Sequence, residues 1–197
     1  LHYRRSAAEA EETVRHLKEG GTIVQAFQAD LTSETDVDRL FQQTLEQFGR
    51  LDVLVTAAAV WEPKRLENVT ADDVRRQFEI NALGTFNVLE AVRNYAPEAI
   101  VLNASTNKVY GKLENLDVEL RGGRWEFVSA PAGVSEAQPL DFHSPYGCSK
   151  GVAEVRIVAP FAHFDVPHIA PPFLLYRAQL AGGAFGPGPA SLQFEPM

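Results

Sequence analysis

Apolar residues Ala7, Ala10, Val14 and Leu17 recur at three- and four-residue steps between Ser6 and the pair Gly20-Gly21. That period predicts an amphipathic helix, with Ser6-Ala-Ala-Glu9 as a capping box at its start and the glycines as its stop. Residues 22–28, TIVQAFQ, predict a short strand, and Asp30 lies just beyond its carboxyl end. Ser33 and Asp36 open a second helix whose stripe is Val37, Leu40, Phe41, Leu45 and Phe48, closed by Gly49. The run 51–60, LDVLVTAAAV, is continuously apolar after its first aspartate, as strands covered on both faces are. Thr70 caps a long helix reaching about Tyr95, ahead of Pro97, and residues 99–105, AIVLNAS, predict a further buried strand.

Strands and helices therefore alternate, which predicts an α/β fold with a parallel sheet and crossover helices. Residues 112–145 interrupt the rhythm: they are polar, hold a Gly122-Gly123 pair and show no clear period. A helix from about Tyr146, interrupted by Pro160, and a last strand at 168–176 complete a domain over residues 1–177. Residues 178–197, rich in glycine and proline, read as a tail. In open sheets of this kind ligands sit beyond the carboxyl ends of the strands. That rim holds Tyr3–Ser6, Asp30, Thr56–Ala59 and Ser105–Tyr110.

Composition narrows the class of partner. The 197 residues are 45% hydrophobic and 22% charged, a globular mixture. The formal charge of −8 opposes a phosphate backbone, so no nucleic-acid partner is expected. No apolar stretch approaches the roughly 20 residues of a membrane span, and no signal peptide opens the chain. The reading is a soluble, cytoplasmic domain. One cysteine, Cys148, excludes an internal disulfide and a thiolate zinc cluster. The five histidines, His2, His16, His143, His163 and His168, lack metal-binding spacing with carboxylates, and no metal is expected.

Chemistry concentrates in Ser144-Pro-Tyr146-Gly-Cys-Ser-Lys150. Tyr146 and Lys150 are four apart and share a helix face. A free tyrosine, with a pKa of about 10, is a poor base near neutrality, and an ammonium within about 4–6 Å favours its phenolate. The pair suits proton transfer at a carbon bearing a hydroxyl or carbonyl. Upstream, Ser105-Thr-Asn-Lys-Val-Tyr-Gly111 sets a hydroxyl at a strand's carboxyl end. With these motifs the chain resembles the short-chain dehydrogenase/reductase superfamily. Residues 78–151, containing FEINALGTFNVLEAVRNYAPEA, STNKVYG and HSPYGCSKG, are similar to its extended branch, and most of all to nucleotide-sugar 2-epimerases of the CDP-paratose type. The resemblance implies a Rossmann-like doubly wound parallel sheet. It implies that Thr106 hydrogen-bonds the substrate oxygen, Tyr146 is the acid/base, and Lys150 tunes Tyr146 and holds the nicotinamide ribose. Asn81 lies near the cofactor by the same likeness, and Ser105 ranks below it.

Residues 1–76, with HYRRSAAEAEE, QADLTSETDVDRLF and FGRLDVLVTAAAV, resemble instead the classical reductases of the superfamily. That likeness implies that Asp30 binds the adenine amino group, Leu31 packs beside the ring, and the Ala57, Ala58 and Ala59 backbone lines the cofactor. Arg4, Arg5 and Ser6 stand where a 2′-phosphate would lie, and guanidinium forks suit phosphate. They favour NADP, whereas the epimerase likeness implies NAD. Family members open with a strand and a glycine-rich turn that receives the pyrophosphate at a helix N-terminus. The chain opens on Leu1 within LHY, so that strand and turn are expected to be missing, leaving a gap in mid-sheet. Gly182-Gly-Ala-Phe-Gly186-Pro-Gly188 repeats the glycine spacing, but no helix can follow it.

Three readings stay open: an NAD(P)-dependent epimerase or dehydratase acting on a nucleotide sugar, a classical NADPH-dependent carbonyl reductase, and a truncated non-catalytic fragment. The path from Thr106 to Tyr146 exceeds what classical reductases use and favours the sugar. Trp61 and Trp125 read as core or rim residues before pocket walls. The apolar Phe86, Val88, Leu89 and Val92 on the long helix suggest a homodimer.

Overall fold

A computed structural model describes residues 1–131, 133–134, 138–158 and 173–177. Pro160, Pro171-Pro172, His163, His168 and the tail 178–197, with its glycine repeat, fall outside the described residues. The chain opens with β1 (His2–Tyr3), α1 (Ala7–Glu19), β2 (Phe27–Gln28), α2 (Glu34–Phe48) and β3 (Val53–Thr56). Ser33, in extended backbone, accepts the Asp36 N–H at the start of α2, and Gly49 closes it at φ 76° with its N–H on the Leu45 carbonyl. At α1 the expected capping box is absent. Ser6 sits at φ −82°, ψ 60° and its hydroxyl makes no capping bond, because a capping side chain needs the extended backbone seen at Ser33.

The long helix is really two. Thr70 and Asp73 form a reciprocal capping box for α3 (Ala71–Phe78), a wider π-helical turn follows over Glu79–Leu83, and α4 (Gly84–Tyr95) resumes. Next come β4 (Ile100–Ala104), a short 3-10 turn (Asn107–Tyr110), β5 (Val118–Arg121), β6 (Arg124–Phe127), α5 (Pro145–Val158) and β7 (Phe173–Arg177). Residues 112–145 are thus not aperiodic throughout. Gly122 and Gly123, both at positive φ, turn a hairpin in which Leu120 faces Trp125 and Val118 faces Phe127. The alternation is visible only across the two strands together.

The sheet is split. β1 pairs with β2 in parallel, and β3 pairs with β4 in parallel. β7 joins the outer edge of β4 in the antiparallel sense, which departs from the all-parallel reading. Between the two groups runs an apolar cleft of about 600 Å³, walled by Leu1, His2 and Phe27 on one side and Val53–Ala58 on the other. The Ile100 N–H bonds the Asp52 carbonyl at 2.8 Å, so the even peptide groups of β3 serve β4 and those of Val53 and Val55 face the open edge. These valines are 49% and 59% exposed, although an apolar run of this kind predicts cover on both faces. Among the described residues β1 and β2, each two residues long, pair only with each other.

The core adjoins the cleft, which Phe41 and Val88 help to line: Val37 and Phe41 of α2 meet Val88, Ala91 and Val92 of α4 and Val101 of β4. Val88 and Val92 are 5% and 3% exposed and Leu89 packs against the same cluster, so this core takes up three of the four apolar side chains that suggest a dimer. Among the described residues no helix is long and apolar enough to cross a membrane.

Candidate active site

Three segments converge at the carboxyl end of β4. Thr106, half-buried, follows the strand in extended backbone, and its hydroxyl accepts the Lys108 N–H at 3.3 Å. Accepting that bond leaves the hydroxyl hydrogen able to donate outward. The turn it caps lies directly on the first turn of α5. A side-chain carbon added at Gly147 would come within 2.6 Å of the Lys108 carbonyl oxygen, so only glycine lets the two backbones approach so closely. Gly111, at φ 61°, is likewise closed in by Asp141 and His143. Tyr146, beside Gly147, is half-buried, and Lys150, one turn on, is 2% exposed. The structure therefore brings Thr106, Tyr146 and Lys150 into one region.

Asn81 ties that region together. It is fully buried at the centre of the π-helical turn. Its Oδ1 accepts the Val60 N–H at 2.8 Å, and its Nδ2 donates to the Val60 carbonyl at 2.9 Å and to Ser149 Oγ at 3.0 Å. Ser149 in turn donates to the Tyr146 carbonyl at 2.9 Å. One amide thus links the loop after β3, the widened helix and the tyrosine helix. Sequence reasoning misses Ser149, although a hydroxyl three residues after Tyr146 on a helix can reach back to a carbonyl. On the loop, Trp61 follows Val60 and its ring centroid lies 6.3 Å from that of Tyr146, tilted 45°. The Ser105 hydroxyl is buried with no hydrogen-bond partner among the described residues, and Asn103 receives the Thr56 hydroxyl.

The second group of predicted residues lies at the ends of β1 and β2. Arg4 Nη2 meets Asp30 Oδ2 at 2.6 Å, while Asp30 Oδ1 accepts the Thr32 N–H and hydroxyl at 3.0 and 2.8 Å. Partial burial pushes the Asp30 carboxyl upward, and the Thr32 hydrogen bonds and the Arg4 charge outweigh it, so the group titrates below its ordinary range. Arg5 and Ser6 are exposed. Leu31 is clamped from α4: the Asn87 amide donates to its carbonyl at 2.9 Å, and Gly84 allows the helix to close on its side chain. Ala57 and Ala58 border the cleft, and Ala59 is exposed beyond them.

A dinucleotide fits this arrangement at two points. Arg4, Asp30 and Leu31 offer charge and an apolar contact at one end, Lys150 and Tyr146 lie at the other, and the three alanines leave backbone accessible between. No helix among the described residues begins in a glycine-rich turn that would take the pyrophosphate.

The sequence model of the short chain dehydrogenase family matches residues 1–112. The CDP-paratose 2-epimerase of Salmonella typhi is 39% identical over 125 residues, which are 64% of this chain and 34% of that protein. A short-chain dehydrogenase/reductase of Pestalotiopsis microspora is 32% identical over 161 residues, 81% of this chain and 51% of that protein. The chain thus spans between a third and about half of these relatives' length. Among solved structures, an alcohol dehydrogenase from Thermococcus sibiricus complexed with 5-hydroxy-NADP superposes with a TM-score of 0.59 at 21% identity, covering 81% of this chain and 58% of that one.

Proposed function

The chain belongs to the short chain dehydrogenase family, and on that premise we propose that it is the catalytic part of an NAD(P)-dependent oxidoreductase acting as an epimerase on a nucleotide sugar. The observation that carries this reading is the packing of the Thr106 turn on the Tyr146 helix with Lys150 buried behind it. In that arrangement the Thr106 hydroxyl donates to the substrate oxygen and fixes it beside Tyr146 Oη. Tyr146 Oη takes the hydroxyl proton as the carbinol becomes a carbonyl, and returns it when the carbonyl is reduced from the other face. Lys150 is buried on the same helix, one turn on from Tyr146. The nicotinamide, when bound, supplies the acceptor and donor of hydride. Arg4, Asp30 and Leu31 would hold the adenosine end, Ala57–Ala59 and Asn81 would line the middle, and Lys150 would reach the nicotinamide ribose.

The sugar is favoured by the likeness to the Salmonella epimerase and by the segment between Thr106 and Tyr146, long enough to hold the β5–β6 hairpin. The carbonyl-reductase reading is favoured by the first 76 residues and by Arg4 and Arg5. One assay separates them. A protein purified with this chain intact is offered a CDP-hexose with NAD or NADP and, separately, a prochiral ketone with NADPH. Epimerisation that disappears in Tyr146→Phe and falls at least a hundredfold in Thr106→Val supports the proposal. Turnover of the ketone alone transfers it to the reductase reading, and full activity in Tyr146→Phe removes both.

A further inference from the structure

We infer that Trp61 is a substrate-binding residue: its indole forms the apolar wall against which the sugar ring lies while Tyr146 exchanges a proton with that ring. This rests on the reading of Tyr146 given above and adds the group that selects the ring.

Four observations converge on it. Trp61 is 61% exposed, so it is not a core residue, yet its ring stands 6.3 Å from that of Tyr146. The residue before it, Val60, has both backbone groups held by the fully buried Asn81, so the indole is presented from fixed backbone. The residue after it, Glu62, is paired with Arg76 at 2.5 Å and with Lys64 at 3.9 Å. Its charge is answered within the loop and by α3, and the indole lies beside the Tyr146 ring.

The chemistry selects a pyranose. A single aromatic face, with hydroxyls at its border on Tyr146 and Thr106, matches a ring that has one CH-rich face and a polar perimeter. Tryptophan suits such half-wet positions because it combines a large apolar area with little conformational freedom to lose. A flat polycyclic ketone would present aromatic carbon on both faces and leave one of them facing water.

The test reads binding apart from turnover. In a Trp125→Phe background Trp61 is the sole tryptophan, and its emission is followed while CDP-glucose or CDP is added. CDP-glucose should change the emission saturably, and CDP, lacking the hexose, should change it by less than a third as much. By calorimetry Trp61→Ala should weaken CDP-glucose about tenfold and CDP less than twofold, with Trp61→Phe in between. Retained thermal unfolding in Trp61→Phe secures the comparison if the alanine variant folds poorly. Equal responses to CDP and CDP-glucose, unchanged affinity in both variants, or no binding of CDP-glucose by the unmodified protein each overturn the assignment. Tyr146→Phe separates the two claims, since it should abolish turnover and leave the Trp61 response in place. A Tyr146→Phe protein that turns over while Trp61 still responds would fail the acid/base reading alone.

Discussion

Gly147 and Asp73 show how single residues set the site's geometry and its acid tolerance. The α-hydrogen of Gly147 lies against the Lys108 carbonyl, and a methyl there would sit 2.6 Å from a backbone oxygen that cannot swing away. Gly147→Ala should therefore cost about 1–3 kcal/mol in urea unfolding, the range of overpacking in tight sites. It should lower activity more than a matched loss of stability explains, because the strain is relieved by parting Thr106 from Tyr146. Asp73 is held by Lys64 at 2.5 Å and by the Thr70 backbone and hydroxyl, which bring its carboxyl down to about 2. A folded value below the ordinary one means stability present above about pH 4 and lost as pH falls toward 2. Asp73→Asn should flatten the pH dependence of the unfolding midpoint across that window. An unchanged slope would remove Asp73 from the acid response.

Among the elements, the α3–α4 helix departs most from its sequence reading. Its apolar period and Thr70 cap are continuous with one long helix, yet the backbone widens over Glu79–Leu83 and places the Asn81 side chain on Val60 and Ser149. An asparagine with no exposed surface in mid-helix would be costly without partners, and here its three bonds supply them. Asn81→Ala should leave the Val60 N–H and carbonyl without their partner, at a cost of about 1–3 kcal/mol for groups left partly buried. Hydrogen exchange should show it locally, with the Val60 amide losing protection before the amides of α2. The hairpin tells the opposite story. Alternation of Val118-Glu-Leu120 with Trp125-Glu-Phe127 is a strand signal once the glycine turn is recognised, and four-residue strands are too short to announce themselves singly.

For the whole molecule the decisive feature is the cleft dividing β1–β2 from β3–β4–β7. The peptide groups of Val53 and Val55 on the cleft side and their exposed side chains form the kind of open edge that folded sheets avoid. Extending the protein ahead of Leu1 with an apolar strand, a glycine turn and a helix should fill the cleft. The Val53 and Val55 amides should gain protection from exchange, and dinucleotide binding should tighten at least tenfold, since the added helix start receives the pyrophosphate. NADP should then be preferred through Arg4 and Arg5. Arg4→Ala with Arg5→Ala should remove that preference, by about tenfold for each charge-assisted hydrogen bond to the 2′-phosphate that is deleted. Micromolar dinucleotide binding by the 197 residues without that extension would show that the pyrophosphate needs no added helix start.

By itself the sequence determined the local and periodic features. The α2 stripe, its Ser33 cap and Gly49 stop, the Thr70 cap and the alternation of strands with helices follow from side-chain spacing and backbone preference over a few residues. So does the Tyr146–Lys150 pair, because four residues make one helical turn. Tertiary structure decided what depends on residues distant in the chain. Ser6 is followed by a glutamate in box spacing but lies in backbone that cannot cap. Val53 and Val55 read as buried, yet whether a strand is covered depends on its neighbours, and among the described residues one edge has none. Arg4 and Asp30, assigned to different parts of a cofactor, meet each other because β1 and β2 end side by side. Trp61 reads as a packing residue until Asn81, twenty positions later, holds the backbone of the preceding Val60 and the indole is found beside the tyrosine. No short-range pattern encodes that contact, because it is made by a buried hydrogen-bond network among three segments.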